Sequence, residues 1–358
     1  MHIIQSSGYQ LELGSIVESS FIEKLKLFSN EKIVLFADEH TSEACVGFLI
    51  SHYDQLSEAE VIVIPAGELS KTVEIVENIW EVLSDYQIGR HDLLINVGGG
   101  MITDMGGFIA SCYKRGIQFI NIPTSLLGMV DASIGGKTGV NLGHFKNQIG
   151  VFSYPIAVYI DPLFLLTLPE AELMSGYAEL LKHGLISDVT LYKRVLEQME
   201  DPASISMELL KDGIEIKNNV VTADPLEKGE RKKLNFGHTF GHVIEGFYLG
   251  KKGVSHGWAV AIGMIFESYL SYKKGLLKFE DFQEIERDLL KWFKIPSFSD
   301  DDVQQMVDWL LNDKKNRSGK IQCCLLEGMG KCTFDHEISL NEAMEVFLHF
   351  KNQQINLN

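Results

Sequence analysis

The sequence predicts two domains: an α/β domain built on a parallel sheet over residues 1–165, then a mainly helical domain over residues 166–358. Three observations predict this. Short runs that are apolar almost throughout recur before residue 165 and become scarce after it. Segments with helical apolar spacing separate those runs. The chain's 358 residues also exceed the roughly 250–300 at which a single core stops growing.

Each element follows from its residues. The runs KIVLFA (32–37), EVIVI (60–64), LLINV (93–97), IQFINI (117–122) and IAVYI (156–160) read as strands covered on both faces. Between the second and third, Val73, Val76, Trp80 and Leu83 recur at helical spacing, with Ser70 the expected N-cap. Strand–helix alternation implies a parallel sheet of the nucleotide-binding type. Further on, AELMSGYAELLKHGLI (171–186), MELLKDGIEIKNNVV (207–221) and GWAVAIGMIFESYLSYK (257–273) read as amphipathic or buried helices. KIQCCLLEG (320–328) reads as a late strand or hairpin.

Composition narrows the function classes. With 45% hydrophobic and 23% charged residues the chain suits a globular protein. A formal net charge of -17 argues against nucleic acid as a partner, since phosphate contacts need lysine and arginine. No apolar run reaches the roughly 18 residues of a membrane span, and the start shows no secretory signal. Five cysteines, odd in number and without CxxC spacing, read as reduced thiols, which places the expectation in the cytoplasm.

The candidate chemistry lies in loops and helix faces. After LLINV comes GGGMITDMGGFIAS: Gly98, Gly99 and Gly100 end a strand and open a helix, where backbone and helix N-terminus can approach a phosphate. It is not GxGxxG. Asp104, placed in the first helical turn, caps the helix or takes a ligand hydroxyl. Glu68 and Lys71 in PAGELSK and Asp38 at the end of LFAD follow other strands, where ligands bind such sheets. The segment 122–150 sets Asp131, Lys137, Lys146 and Asn147 among small residues, which suits a polyhydroxylated or phosphorylated ligand.

In SGYAELLKHGLI, Glu179, Lys182 and His183 share one helix face beside apolar neighbours, so Glu179 needs a cation, either a lysine or a metal. LNFGHTFGHVIE puts His238 and His242 one turn apart, each after a glycine, either as metal ligands or as core histidines. His256 opens the long apolar helix. One carboxylate and two imidazoles make a catalytic type of zinc site, with His144 and His183 as alternative donors.

Together, GGGMITDMGGFIASCYKRG, IPTSLLGMVDASIGGKTGVN, KNQIGVF, LPEAELMSGYAELLKHGLI, LNFGHTFGHVIE, SHGWAVAIGM and DKKNRSGK resemble the 3-dehydroquinate synthase family of sugar phosphate cyclases, over roughly residues 60–320. The resemblance implies a Rossmann-like NAD-binding domain and a helical domain for metal and substrate. It implies Glu179, His238 and His256 as ligands of a divalent metal, zinc or cobalt, with His242 an acid–base or phosphate-binding residue instead. Dinucleotide contacts fall on Asp38, Glu68, Lys71, Gly99, Gly100, Met101, Ile102, Thr103, Asp104, Thr124, Ser125, Phe164, Leu165, Leu166 and Thr167, joined by Lys137 and Lys146. Substrate contacts fall on Asp131, Lys137, Lys146, Asn147, Lys182, Lys217, Arg231, Asn235, His242 and Lys315, and Arg115 resembles an arginine that serves the neighbouring subunit of a homodimer.

Ser125, His183 and Trp258 depart from the family's commoner threonine, tyrosine and glutamate without removing a proposed ligand. The activity implied is conversion of 3-deoxy-D-arabino-heptulosonate 7-phosphate to 3-dehydroquinate and phosphate. The alternatives are another sugar phosphate cyclase, or a metal-dependent glycerol or alcohol dehydrogenase.

Overall fold

The computed structural model describes residues 1–143, 145–248, 254–310 and 321–355. Eleven strands are present among them: β1 (His2–Gln5), β2 (Gln10–Leu13), β3 (Ile33–Asp38), β4 (Glu60–Ile64), β5 (Leu93–Gly98), β6 (Gln118–Pro123), β7 (Lys137–Leu142), β8 (Phe145–Phe152), β9 (Ala157–Ile160), β10 (Ile321–Leu326) and β11 (Cys332–Ile338). The five apolar runs became β3, β4, β5, β6 and β9. Every residue of β3 and β5 is buried, as two-faced cover requires.

Seven strands form one sheet in the order β1-β2-β9-β6-β5-β3-β4. All neighbours are parallel except β1 with β2. The chain runs outward from β3 to β4, then returns to place β5 on the other side of β3. That reversal opens a crevice at the carboxyl ends of β3 and β5, where such sheets bind ligands. Val34, Phe36, Val76, Leu83, Leu94, Ile102, Met105 and Ile109 form the core beneath it.

Local details differ from the sequence expectations. The helix Val73–Asp85 is capped by Thr72, whose hydroxyl accepts from the Ile75 amide, and not by Ser70, which sits in the preceding 3-10 turn. The glycine-rich stretch after residue 136 is a hairpin, β7 paired with β8, where a loop was expected. Its paired glycines, Gly139 and Gly150, face backbone: a Cβ at Gly139 would lie 2.5 Å from the Ile149 carbonyl.

Two compact units emerge, Met1–Gly176 with Ile205–Pro225, and Tyr177–Ser204 with Leu226–Asn358. The units do not follow the change of texture at 165/166, because the helix Met207–Ala223 belongs to the first. The second unit is built around the helix His256–Lys273, which is buried almost all round. Against it pack the helices His238–Tyr248, Phe279–Leu290 and Leu340–Ile355, and β10. No helix among the described residues is long and apolar enough to cross a membrane.

Candidate active site

In the first unit the strand ends carry a polar network. Lys71, buried, donates from Nζ to Asp104 Oδ2 at 2.6 Å and to Asn147 Oδ1 at 2.7 Å. Asp104 therefore neither caps its helix nor lies in the first turn. The helix begins at Gly100, and Asp104 sits one turn further in. Burial raises the Asp104 pKa above the usual carboxylate value, opposed by the Lys71 ammonium.

Asn141 ties this network together. It donates from Nδ2 to Glu68 Oε1 at 2.9 Å, accepts at Oδ1 from the Asn147 amide, and gives its own amide to the Lys71 carbonyl. Lys146 Nζ lies 3.9 Å from the same Glu68 oxygen. Sequence reasoning missed Asn141, although it lies inside GGKTGVN, where a lone amide among small residues is a usable signal.

Asp38 ends β3 and caps the next turn, accepting the Thr41 amide at Oδ1. The helix Gly100–Cys112 has no side-chain cap, which leaves its first N–H groups for a ligand. Opposite it stand Thr124 and Ser125, both buried. A Cβ at Gly99 would lie 3.1 Å from Ser125 Oγ, and one at Gly100 would lie 3.0 Å from Ala132 Cβ. A side chain at either glycine would press on these neighbours. Ile102 and Thr103 are buried and Met101 half-buried. In the 3-10 turn Pro162–Thr167, Phe164 and Leu165 are buried whereas Leu166 and Thr167 are exposed.

Asp131 accepts from Lys217 Nζ at Oδ1, at 2.7 Å. Lys137 is exposed, and so is Arg115, held at φ 69°.

The second unit holds a different cluster. Glu179, His238 and His256 each offer one ligand atom, all within 4.8 Å of one another. His238 Nε2 lies 3.6 Å and His256 Nε2 lies 3.7 Å from Glu179 Oε1. Donors of a tetrahedral ion bound at 2.0–2.2 Å stand about 3.4 Å apart, so the spacing suits a divalent metal. The tautomers suit it too. His238 Nδ1 donates to the Phe236 carbonyl at 3.1 Å, and His256 Nδ1 meets Glu245 Oε2 at 3.2 Å, so both Nε2 atoms face Glu179.

Burial works against charge on His256. The Glu245 and Glu179 carboxylates outweigh it and push the ring up to about 10. Lys182 pairs with Glu179 Oε2 on the same helix. The carboxylate expected to need a lysine or a metal thus has the lysine and stands within reach of two imidazoles.

His242 stands one turn along, its ring centroid 5.1 Å from that of His238, and contributes no atom to the Glu179–His238–His256 group. The glycines of GHTFGH face the helix His256–Lys273: a Cβ at Gly241 would lie 3.1 Å from the Ala259 carbonyl. Arg231 is buried, and Asn235 donates to Glu227 Oε1 at 2.6 Å. His183 is fully buried. Lys315 and His144 lie outside the described residues. Glu245 and Glu267 escaped the sequence reading. Glu267 had a signal, the single carboxylate of a mostly apolar helix.

Comparison with known proteins places the sequence in a family and the fold beside solved structures. Residues 61–175 match the family model of the 3-dehydroquinate synthase N-terminal region, and residues 176–316 match that of its C-terminal region. A 3-dehydroquinate synthase of Parabacteroides distasonis is 37% identical over 328 residues, covering 91% of this chain and 92% of the relative. Another, of Wolinella succinogenes, is 42% identical over 82% of this chain and 84% of the relative. Among solved structures, 2-epi-5-epi-valiolone synthase of Streptomyces hygroscopicus subsp. jinggangensis 5008, with NAD+ and Zn2+ bound, has a TM-score of 0.82 at 25% identity over 99% of both chains. Matched in both halves and across most of its length, the chain belongs to the 3-dehydroquinate synthase family.

Proposed function

We propose that the chain is a lyase that converts 3-deoxy-D-arabino-heptulosonate 7-phosphate into 3-dehydroquinate and phosphate, in the biosynthesis of aromatic amino acids. The observation that carries this reading is the Glu179–His238–His256 group, with its oriented imidazoles and with His242 beside it but outside it. Family membership narrows the chemistry to this reaction.

The resident groups are NAD and one divalent metal, zinc or cobalt. Glu179, His238 and His256 would hold the metal. Asp38, Glu68, Lys71, Gly99–Asp104, Thr124, Ser125 and Phe164–Thr167 would hold the dinucleotide, its pyrophosphate at the uncapped helix start. When bound, NAD supplies a reversible hydride acceptor, and the metal a Lewis acid for the substrate's oxygens.

The chain's own residues do the rest. Lys137, Lys146, Lys182, Lys217, Arg231 and Lys315 clamp the carboxylate and phosphate, and Asn147 and Asn235 orient the hydroxyls. Asp131, its Oδ1 held by Lys217, accepts a substrate hydroxyl proton, and the His242 imidazole moves a proton or holds the phosphate. The reaction has no net redox change.

A homodimer, with exposed Arg115 serving the neighbouring subunit, completes the reading, and sedimentation of purified protein tests it. A cytoplasmic location agrees with five free cysteines.

The deciding experiment supplies the heptulosonate phosphate, NAD+ and zinc or cobalt, and follows phosphate and NADH together. Phosphate release without stoichiometric NADH is expected. NADH accumulating with product would assign the chain to the dehydrogenases. Turnover only of other sugar phosphates would assign it to another cyclase.

A further inference from the structure

We propose that Glu267 is a positioning residue of the metal group: from the helix that carries His256, its carboxylate caps the helix that carries His238 and clasps the two together. The inference rests on the metal reading above.

The residue that precedes the helix His238–Tyr248 is a glycine, which has no side chain with which to cap it. Gly237 precedes it at φ 80°, and its Cβ would lie 2.6 Å from Met264 Cγ and 2.8 Å from the Val260 carbonyl. Serine, threonine, aspartate or asparagine, the usual capping residues, have no room at that position, where any Cβ would press on the Val260 carbonyl. The crossing is close from the other side as well. A Cβ at Gly263 would stand 1.8 Å from the Gly237 carbonyl oxygen.

The amides left over by this crossing still need acceptors. Glu267 lies one turn beyond Gly263 on the same helix face, and both its oxygens are used. Oε2 accepts the Gly237 amide at 2.8 Å and Oε1 the Thr239 amide at 3.0 Å. Those two amides flank His238. The carboxylate is fully buried, an expensive place for a charge unless donors and the positive end of a helix meet it. The same crossing that brings His238 toward His256 thus forbids a local cap and is held by one supplied from across the interface.

Removing such an outer partner typically lowers metal affinity about 10–100-fold. Full-length wild type, Glu267→Gln and His238→Ala, each stripped and titrated with Co2+, would be compared by stoichiometry, competition affinity and visible absorption. The expected result is one Co2+ per wild-type chain and loss of binding in His238→Ala. Glu267→Gln should bind about 10–100-fold more weakly with an altered cobalt spectrum.

A Glu267→Gln protein that is merely less heat-stable, with wild-type affinity and spectrum, would overturn the proposal. Co2+ binding in His238→Ala equal to wild type would instead sink the metal reading. If Glu267→Gln does not fold, hydrogen exchange of metal-free wild type decides. Protection of the Gly237 and Thr239 amides before loading is expected, and free exchange there until metal is added overturns the clasp.

Discussion

Two charged clusters, one in each unit, are made of similar groups and balanced in opposite ways. Around Lys71 one ammonium meets one carboxylate and one amide oxygen, Asp104 and Asn147, at ordinary hydrogen-bond distances. Cation and anion match within the protein. Around Glu179 there is a lysine as well, yet two imidazoles also converge on the carboxylate, each fixed by a second acceptor. The Glu245 and Glu179 carboxylates hold charge on His256, so a divalent cation can replace a proton there. The first cluster is a finished structural unit whose edges a ligand can use. The second is a donor set.

The largest effect should come from breaking the donor set. His238→Ala is expected to bring metal content and turnover to background together. Chelation of the wild type should do the same, with zinc or cobalt restoring activity. Elemental analysis beside phosphate release checks this, and full turnover by metal-free protein would erase the contrast between the clusters.

A sharper cut is His242→Ala, one turn away. Metal should stay bound while turnover falls about 10²–10⁴-fold, the usual loss for an acid–base group. Metal loss equal to that of His238→Ala would mean that both imidazoles coordinate.

In the first cluster, Lys71→Met removes the cation from Asp104 and Asn147. Unfolding in urea should show about 1.5–3 kcal/mol of lost stability, the range for hydrogen bonds to charged groups. Adding Asp104→Asn should recover part of it. No loss would show that this network is not self-balanced.

The smallest effect belongs to a surface pair that serves as a reference. Burial opposes charge on Glu342, but Lys274 and the Ser339 amide and hydroxyl outweigh it and hold the carboxyl down to about 2. Glu342→Gln should cost under about 1 kcal/mol, as exposed pairs do. Because the folded pKa lies below the ordinary 4.5, this stabilisation is present above pH 4.5 and lost as pH falls through about 2. Denaturation curves of the two proteins should converge over that window. A constant gap would rule out ionisation as its source.

The sequence by itself determined the strands β3, β4, β5, β6 and β9 and the long helices, because two-faced burial and helical spacing are written in local composition. It also made Glu179, His238 and His256 eligible as a group, since a carboxylate among leucines and histidines beside glycines is visible in the chain itself. Its motifs pointed to the family that the comparisons bear out.

Tertiary structure alone decided the rest. Thr72 took the cap from Ser70, and Asp104 turned from a helix cap into the partner of Lys71, 33 residues earlier. Residues after 136 closed into a hairpin because glycine backbones could pair at close range, and Met207–Ala223 joined the first unit. Glu267 became a cap only because two helices cross where neither has room for a side chain, and its amides lie 28 and 30 residues away. Periodicity reports what one segment buries. It carries no record of which distant amide will lack an acceptor when two segments meet.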